Sequence, residues 1–226
     1  MRPSARTIAS GLFLEVQRNL PTKSFRKLWH AGTLDAKDKR AGSLEGAGLS
    51  VSQHPREWID IATLGAVPVW ECTRAGNRFL NFHNIVPGLR EEIVGWGLEH
   101  GYIVRGSVWR ICWYDDEWDD ELCADYASED EARADAHADE KFSRVTKIED
   151  PRRAVLATKK LQQRVLGAAH PTIVFDCLTT VYVEDATSLD GVWWADQLDL
   201  SRLSAPRGVI VPSRVASWQF RRVELE

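Results

Sequence analysis

Between Asp115 and Lys141 the chain carries 13 acidic side chains, opposed only by Arg133 and Lys141. Like charges in that excess cannot be buried, because each unmatched carboxylate would forfeit its hydration with no cation to replace it. The segment is therefore expected at the periphery, and whatever core exists must form from the rest. The rest holds 20 acids and 27 bases, so a chain of net charge −4 reads as a mildly basic body with an acidic edge at about 115–141. Such a run is a solvated helix or hairpin tip, a protein-docking patch, or a mimic of nucleic acid. It contains no Asp-x-Asp-x-Asp-Gly calcium loop, and no metal site is assigned. Positive charge concentrates at Lys23, Arg26 and Lys27, at Lys37, Lys39 and Arg40, and again at Arg152, Arg153, Lys159, Lys160 and Arg164. These clusters suit a soluble face or a nucleic-acid target, though no zinc-finger or RNA-recognition signature accompanies them.

A length of 226 residues favours one domain over 1–226. No apolar run approaches the ~18 residues of a membrane span, and none near the start is long enough for a secretory leader, so the expectation is cytoplasmic with no membrane association. Four scattered cysteines form no Cys-x-x-Cys pair, which indicates neither a zinc knuckle nor a disulfide framework. Ten tryptophans supply aromatic area for a core or a ligand wall alike.

Strand and helix signals alternate irregularly. Residues 1–20 read as a short helix before Pro21. Strands are expected at Phe25–His30, Leu49–Ser52, Val67–Thr73, Phe79–Phe82, within Tyr102–Tyr114, at Thr172–Val183, at Gly208–Pro212 and in Ser217–Leu225. Helices are expected at His54–Leu64, where Pro55 suits a first turn, at 89–100, at Asp130–Phe142 and at Arg152–Leu166. Short strands mixed with helices imply an α+β fold: a split mixed or antiparallel sheet with flanking helices.

Two segments carry chemistry. In Leu28-Trp29-His30-Ala31-Gly32-Thr33 a histidine ends a strand and meets a small turn with a hydroxyl. In Gly46-Ala47-Gly48-Leu49-Ser50-Val51-Ser52 two glycines open a strand whose alternation puts Ser50 and Ser52 on one face. This order resembles the diphtheria-toxin and poly(ADP-ribose) polymerase branch of the ADP-ribosyltransferases. That family pairs a His-Gly-Ser/Thr strand end with a Gly-x-Gly-Ile/Leu-Tyr-Phe strand, and adds a glutamate from a late strand. The resemblance implies an ADP-ribosyltransferase-like fold, NAD as substrate, and contacts to ribose and nicotinamide from His30, Gly32, Thr33, Gly48 and Ser50, with His30 and Ser52 in the catalytic set.

The departures from that pattern direct the rest of the reading. Ala31 is inserted between His30 and Gly32, and Ser50 stands in the tyrosine's position, which leaves stacking to Trp58 or Tyr102. In Arg207-Gly208-Val209-Ile210-Val211, Gly208 stands where the glutamate belongs. Glu184, Asp185, Asp190, Asp196 and Asp199 are nearby in sequence. Asp196 is the favoured acid, because Trp193 and Trp194 would exclude water beside it. Arg207 is assigned to a phosphate, which a guanidinium grips bidentately. The expected function is an NAD-dependent transferase or glycohydrolase, a bacterial toxin or phage-conflict effector modifying a macromolecule. The alternatives are an inactive nucleotide- or protein-binding module of the same fold, with a protein partner at the acidic segment, and an acidic inhibitor.

Overall fold

Runs of three to five apolar or alternating residues, punctuated by glycine and proline, build strands rather than long helices here. The computed structural model describes residues 20–34, 47–84, 87–115, 120–138, 145–149, 155–165, 174–196, 198 and 204–225. The N-terminal helix expected over residues 1–20 lies outside the described residues but for its last, as do Gly46, Asp199 and the basic positions 37–40, 152 and 153. The described chain packs as two compact units. The first holds residues up to 93, apart from 40–46, together with 179 onward; the second is built on 94–178. The acidic segment belongs to the second unit.

The first unit is an eight-stranded sheet. In chain order its strands are β1 (Thr22–Lys23), β2 (Leu28–Ala31), β3 (Leu49–Ser52), β4 (Val69–Thr73), β5 (Phe79–Asn81), β11 (Gly191–Trp194), β12 (Arg207–Ile210) and β13 (Gln219–Val223). Their spatial order is β1-β5-β11-β12-β3-β2-β4-β13. Every neighbouring pair is antiparallel except β5 and β11, so the sheet is mixed. Helix α1 (Pro55–Ile61) follows β3 and lies against β2, with Pro55 in its first turn as expected. A single 3-10 turn spans Phe82–Asn84, and α6 (Pro212–Val215) joins β12 to β13.

Alternation sorts the side chains of this sheet into two sets. One face gathers Leu28, Leu49, Val51, Cys72, Phe79, Trp193 and Ile210, with Phe25 and Trp218 closing over them. Phe25 lies 4.3 Å from Trp193 and 5.4 Å from Phe79, ring centre to ring centre, so aromatic contacts fill this core. Burial pushes the Cys72 thiol up to about 12, since a thiolate there would lose its solvation.

The second unit contains the antiparallel pair β6 (Ile103–Arg105) and β10 (Val155–Ala157), and a three-stranded sheet in which β7 (Val108–Asp115) lies between β8 (Asp120–Tyr126) and β9 (Val145–Ile148). Helix α3 (Glu129–Ala138) packs on that sheet through Ala132, which is wholly buried. Helix α4 (Lys159–Arg164) is capped by Thr158. Helices α2 (Pro87–Glu99) and α5 (Val174–Ala186) each cross the boundary between the units. Within the second unit Leu178 occupies the space a side chain on Gly97 would need.

Three expectations are corrected. Thr172–Val183 is not a strand: 174–186 form α5, in which every residue from Cys177 to Val183 is buried. Seven successive buried residues show neither alternation nor stripe, so periodicity does not tell helix from strand there. The helix read over Arg152–Leu166 begins as β10 and turns helical only at Lys159. The cysteines are not all isolated, because Cys112 and Cys123 face each other across β7 and β8 with Cα atoms 4.1 Å apart and are disulfide-bonded. The spacing of 11 gave no sign of this, since hairpin register created the pairing.

Candidate functional site

The three segments singled out in the sequence form adjacent strands, β12, β3 and β2. Gly208 pairs with Val51, Arg207 with Ser52, and Ser52 in turn with Trp29. Paired residues of antiparallel strands project to the same face. Ser52 therefore shares a face with Arg207 and Trp29, while His30, one residue on, projects with Leu28 to the opposite one. The sheet separates His30 from Ser52, and the expected shared pocket is corrected accordingly.

His30 is 8% exposed at the end of β2. Its Nδ1 lies 2.7 Å from the Ser50 carbonyl oxygen and its Nε2 2.7 Å from that of Thr33. Carbonyl oxygens only accept, so both contacts are hydrogen bonds when both ring nitrogens carry protons, which is the imidazolium. The ring thus ties β3 to the turn after β2. Gly32 in that turn has φ +125°, a conformation that excludes most side chains, and its carbonyl accepts from the Trp70 indole at 2.9 Å. Thr33 is exposed and supplies its backbone oxygen to His30.

The glycine opening β3 has a structural task. Gly48 sits at φ +122°, and a Cβ there would stand 2.4 Å from the Ile210 carbonyl oxygen. It lets β3 meet β12, where the sequence reading gave it to a ligand. Gly208 faces the core in the same manner: a Cβ would meet the Trp193 ring at 2.7 Å and the Val192 carbonyl oxygen at 2.8 Å. The space a side chain at position 208 would take is filled by Trp193.

The other face carries a lateral row. Register sets Trp194 opposite Arg207, then Ser52, Trp29, Glu71 and Arg221 across successive strands. Arg207 and Asp196 form an ion pair, and the Arg207 guanidinium stands 5.7 Å from the Trp194 ring centre. Asp196, two residues past Trp194, keeps 35% of its side chain exposed, against 16% for Arg207. The Trp194 indole N–H is buried with no acceptor among the described residues. Ser52 is wholly buried, and its hydroxyl is fully used: it donates to the Pro206 carbonyl at 2.8 Å and accepts from the His54 amide at 3.0 Å. At the far end Arg221 and Lys27 flank Glu71 at 3.0 and 3.2 Å and hold its carboxyl below the usual range.

The remaining candidates are dispersed. Trp58 is half-buried on α1, with its backbone bonded to His54. Tyr102 belongs to the second unit, stacked on Trp96. Asp190 is buried and bonds Arg74 and the Arg78 amide, and Glu184 accepts from the Ser213 amide at 2.9 Å. Asp196 pairs with Arg207, which neighbours Trp194 and Ser52 in the row, while Asp199 lies outside the described residues. Sequence reasoning missed Glu71 and Trp29 in the row, which only strand register reveals.

Among the described residues no group of three or more His, Cys, Asp or Glu side chains is placed to hold a metal, and no helix is long and apolar enough to cross a membrane. No family model, curated protein or solved structure matches the chain.

Proposed function

We propose that the chain is a nucleotide-binding module of ADP-ribosyltransferase-like type that has lost the transfer reaction. The observation carrying this reading is the occupation of the acid's position. Cleaving the nicotinamide–ribose bond needs a carboxylate beside the developing ribose cation, preorganised in a water-poor site. Gly208 provides none, and Trp193 fills the space a side chain there would take. His30 points to that same face with both nitrogens engaged by backbone carbonyls. What remains part-exposed in the row is the Arg207–Asp196 pair, backed by the buried Trp194 ring. A guanidinium so placed suits a phosphate.

A second reading has its own observation. Asp196 is paired with Arg207, which shares a face with Trp194 and Ser52, so it can serve as the acid of an NAD-cleaving enzyme if that pairing opens when substrate binds. Nicotinamide release separates the two. The module binds NAD or a mononucleotide, with quenching of tryptophan fluorescence, and releases no nicotinamide. Release by the wild type that is lost in Asp196→Asn would overturn the module in favour of the enzyme. No binding and no release would remove both.

A further inference from the structure

The first unit holds a cavity at the opposite end of β2 and β4 from the His30 turn. It has a volume of about 490 Å3 and is walled by Ser24–Arg26, by the turn following β4, and by Ser217 and Gln219 before and at the start of β13. Small-molecule sites span about 300–1,000 Å3, so a ligand of mononucleotide size fits. Two arginines, Arg26 and Arg74, line it, and no carboxylate does.

The walls are fixed from behind. Asn77, 2% exposed, accepts from the Phe25 amide at 2.9 Å and donates to the carbonyls of Phe25 and Arg74, both at 2.7 Å. One amide therefore clamps the Ser24–Arg26 wall to the turn that bears Arg74. Asp190, 3% exposed, pairs with Arg74 through one oxygen and accepts the Arg78 amide at 2.8 Å through the other. It orients the Arg74 guanidinium, whose five N–H donors are more than one carboxylate oxygen can use. Arg26 is exposed and has no ion-pair partner among the described residues. The hydroxyls of Ser24 and Thr73 add neutral donors at the same wall.

We infer that this cavity binds a phosphate-bearing small molecule, with Arg26 and the Asp190-oriented Arg74 gripping the phosphate. The exposed Arg26 guanidinium and the donors of Arg74 that Asp190 does not use can each grip a phosphate through a planar fork. The volume exceeds what a bare ion fills, so the phosphate is carried on an organic body. This site is separate from the Trp194–Arg207 end proposed above.

The test titrates the full chain with AMP, ribose 5-phosphate, inorganic phosphate and adenosine, by calorimetry and by amide chemical shifts. The phosphorylated compounds should bind, adenosine should not, and the shifted amides should cluster at 24–26 and 73–77. Arg26→Gln, at an exposed position that leaves the fold intact, should weaken AMP binding at least tenfold. Arg74→Lys keeps the charge beside Asp190 but loses the fork, and should weaken binding by a similar factor. Lys159→Gln, in the second unit, should change nothing. The inference falls if adenosine binds as well as AMP, if Arg26→Gln binds like the wild type, if Lys159→Gln weakens binding equally, or if millimolar AMP does not bind. Shifts confined to Ser52, Trp194 and Arg207 would overturn it while leaving the proposed module standing.

Discussion

The two faces of the eight-stranded sheet make opposite use of the same motif strands. On one face His30, Val51 and Gly208 look into an aromatic core, and each polar atom of His30 is satisfied by backbone. On the other, Ser52, Arg207 and Asp196 form a partly open row of charge and aromatic surface. The difference teaches that a motif read along a strand is two motifs once the strand is paired. Alternation sends every second residue elsewhere, and the neighbouring strand decides what each set meets.

The hardest way to break that contrast is to restore the acid. Gly208→Glu drives a carboxylate into the Trp193 ring and the Val192 carbonyl, and should cost about 3–5 kcal/mol in denaturant unfolding. Unchanged stability with new NAD cleavage would show the core face to be a functional pocket after all. His30→Ala removes the ring that bridges β3 and the Gly32 turn and should cost about 2–3 kcal/mol, with little effect on nucleotide affinity at the opposite face. A large affinity loss with unchanged stability would count against the division of labour.

Alkali tests the core face through Cys72. The Cys72 thiol is held up to about 12 in the fold against 9.0 for an ordinary thiol. A group whose pKa is raised on folding stabilises fully below its unfolded pKa and loses that contribution as pH rises towards the folded value. Stability should thus fall from about pH 9 upward, by about 1.4 kcal/mol per pH unit from this group. Cys72→Ala should flatten that decline, and an identical decline in the variant would assign it elsewhere. The smallest effect belongs to the open face: Asp196→Asn should change stability by less than about 1 kcal/mol, since the pair is part-exposed and screened. A thermal melt checks it, and a loss of several kcal/mol would mean that the row is structural.

Local signals carried much of the fold. Leu49–Ser52, the Pro55 helix start and the Arg207–Ile210 strand were legible because glycine, proline and alternation act within a few residues. Strand β11 was not, because Gly191, Val192, Trp193 and Trp194 are all buried and show no period-2 pattern. The site was legible only in its parts. Asp196 and Arg207 were chosen separately, and their meeting depends on β11–β12 register. That Gly48 makes room for a strand rather than a ligand, and that the Ser52 hydroxyl donates to Pro206, are facts about tertiary neighbours 150 or so residues away.

The single parallel pairing among the described strands, β5 with β11, has a consequence for how the molecule is made. About 110 residues separate Asn81 from Gly191, and closing so long a loop costs little in stability, since the entropy grows only logarithmically. In time it costs more. At about 5–20 residues per second, a nascent chain holds the finished strand β5 for roughly 5–20 s before β11 exists. Throughout that interval Phe79 and Leu80, both wholly buried in the finished fold, lack their central partner, and β3 lacks β12. Proteolysis of ribosome-bound chains stalled before Gly191 should therefore cut near β5, and protection there would mean that the sheet assembles ahead of its centre. The vulnerable stage of this protein lies in its synthesis, while the middle of the sheet is still being translated.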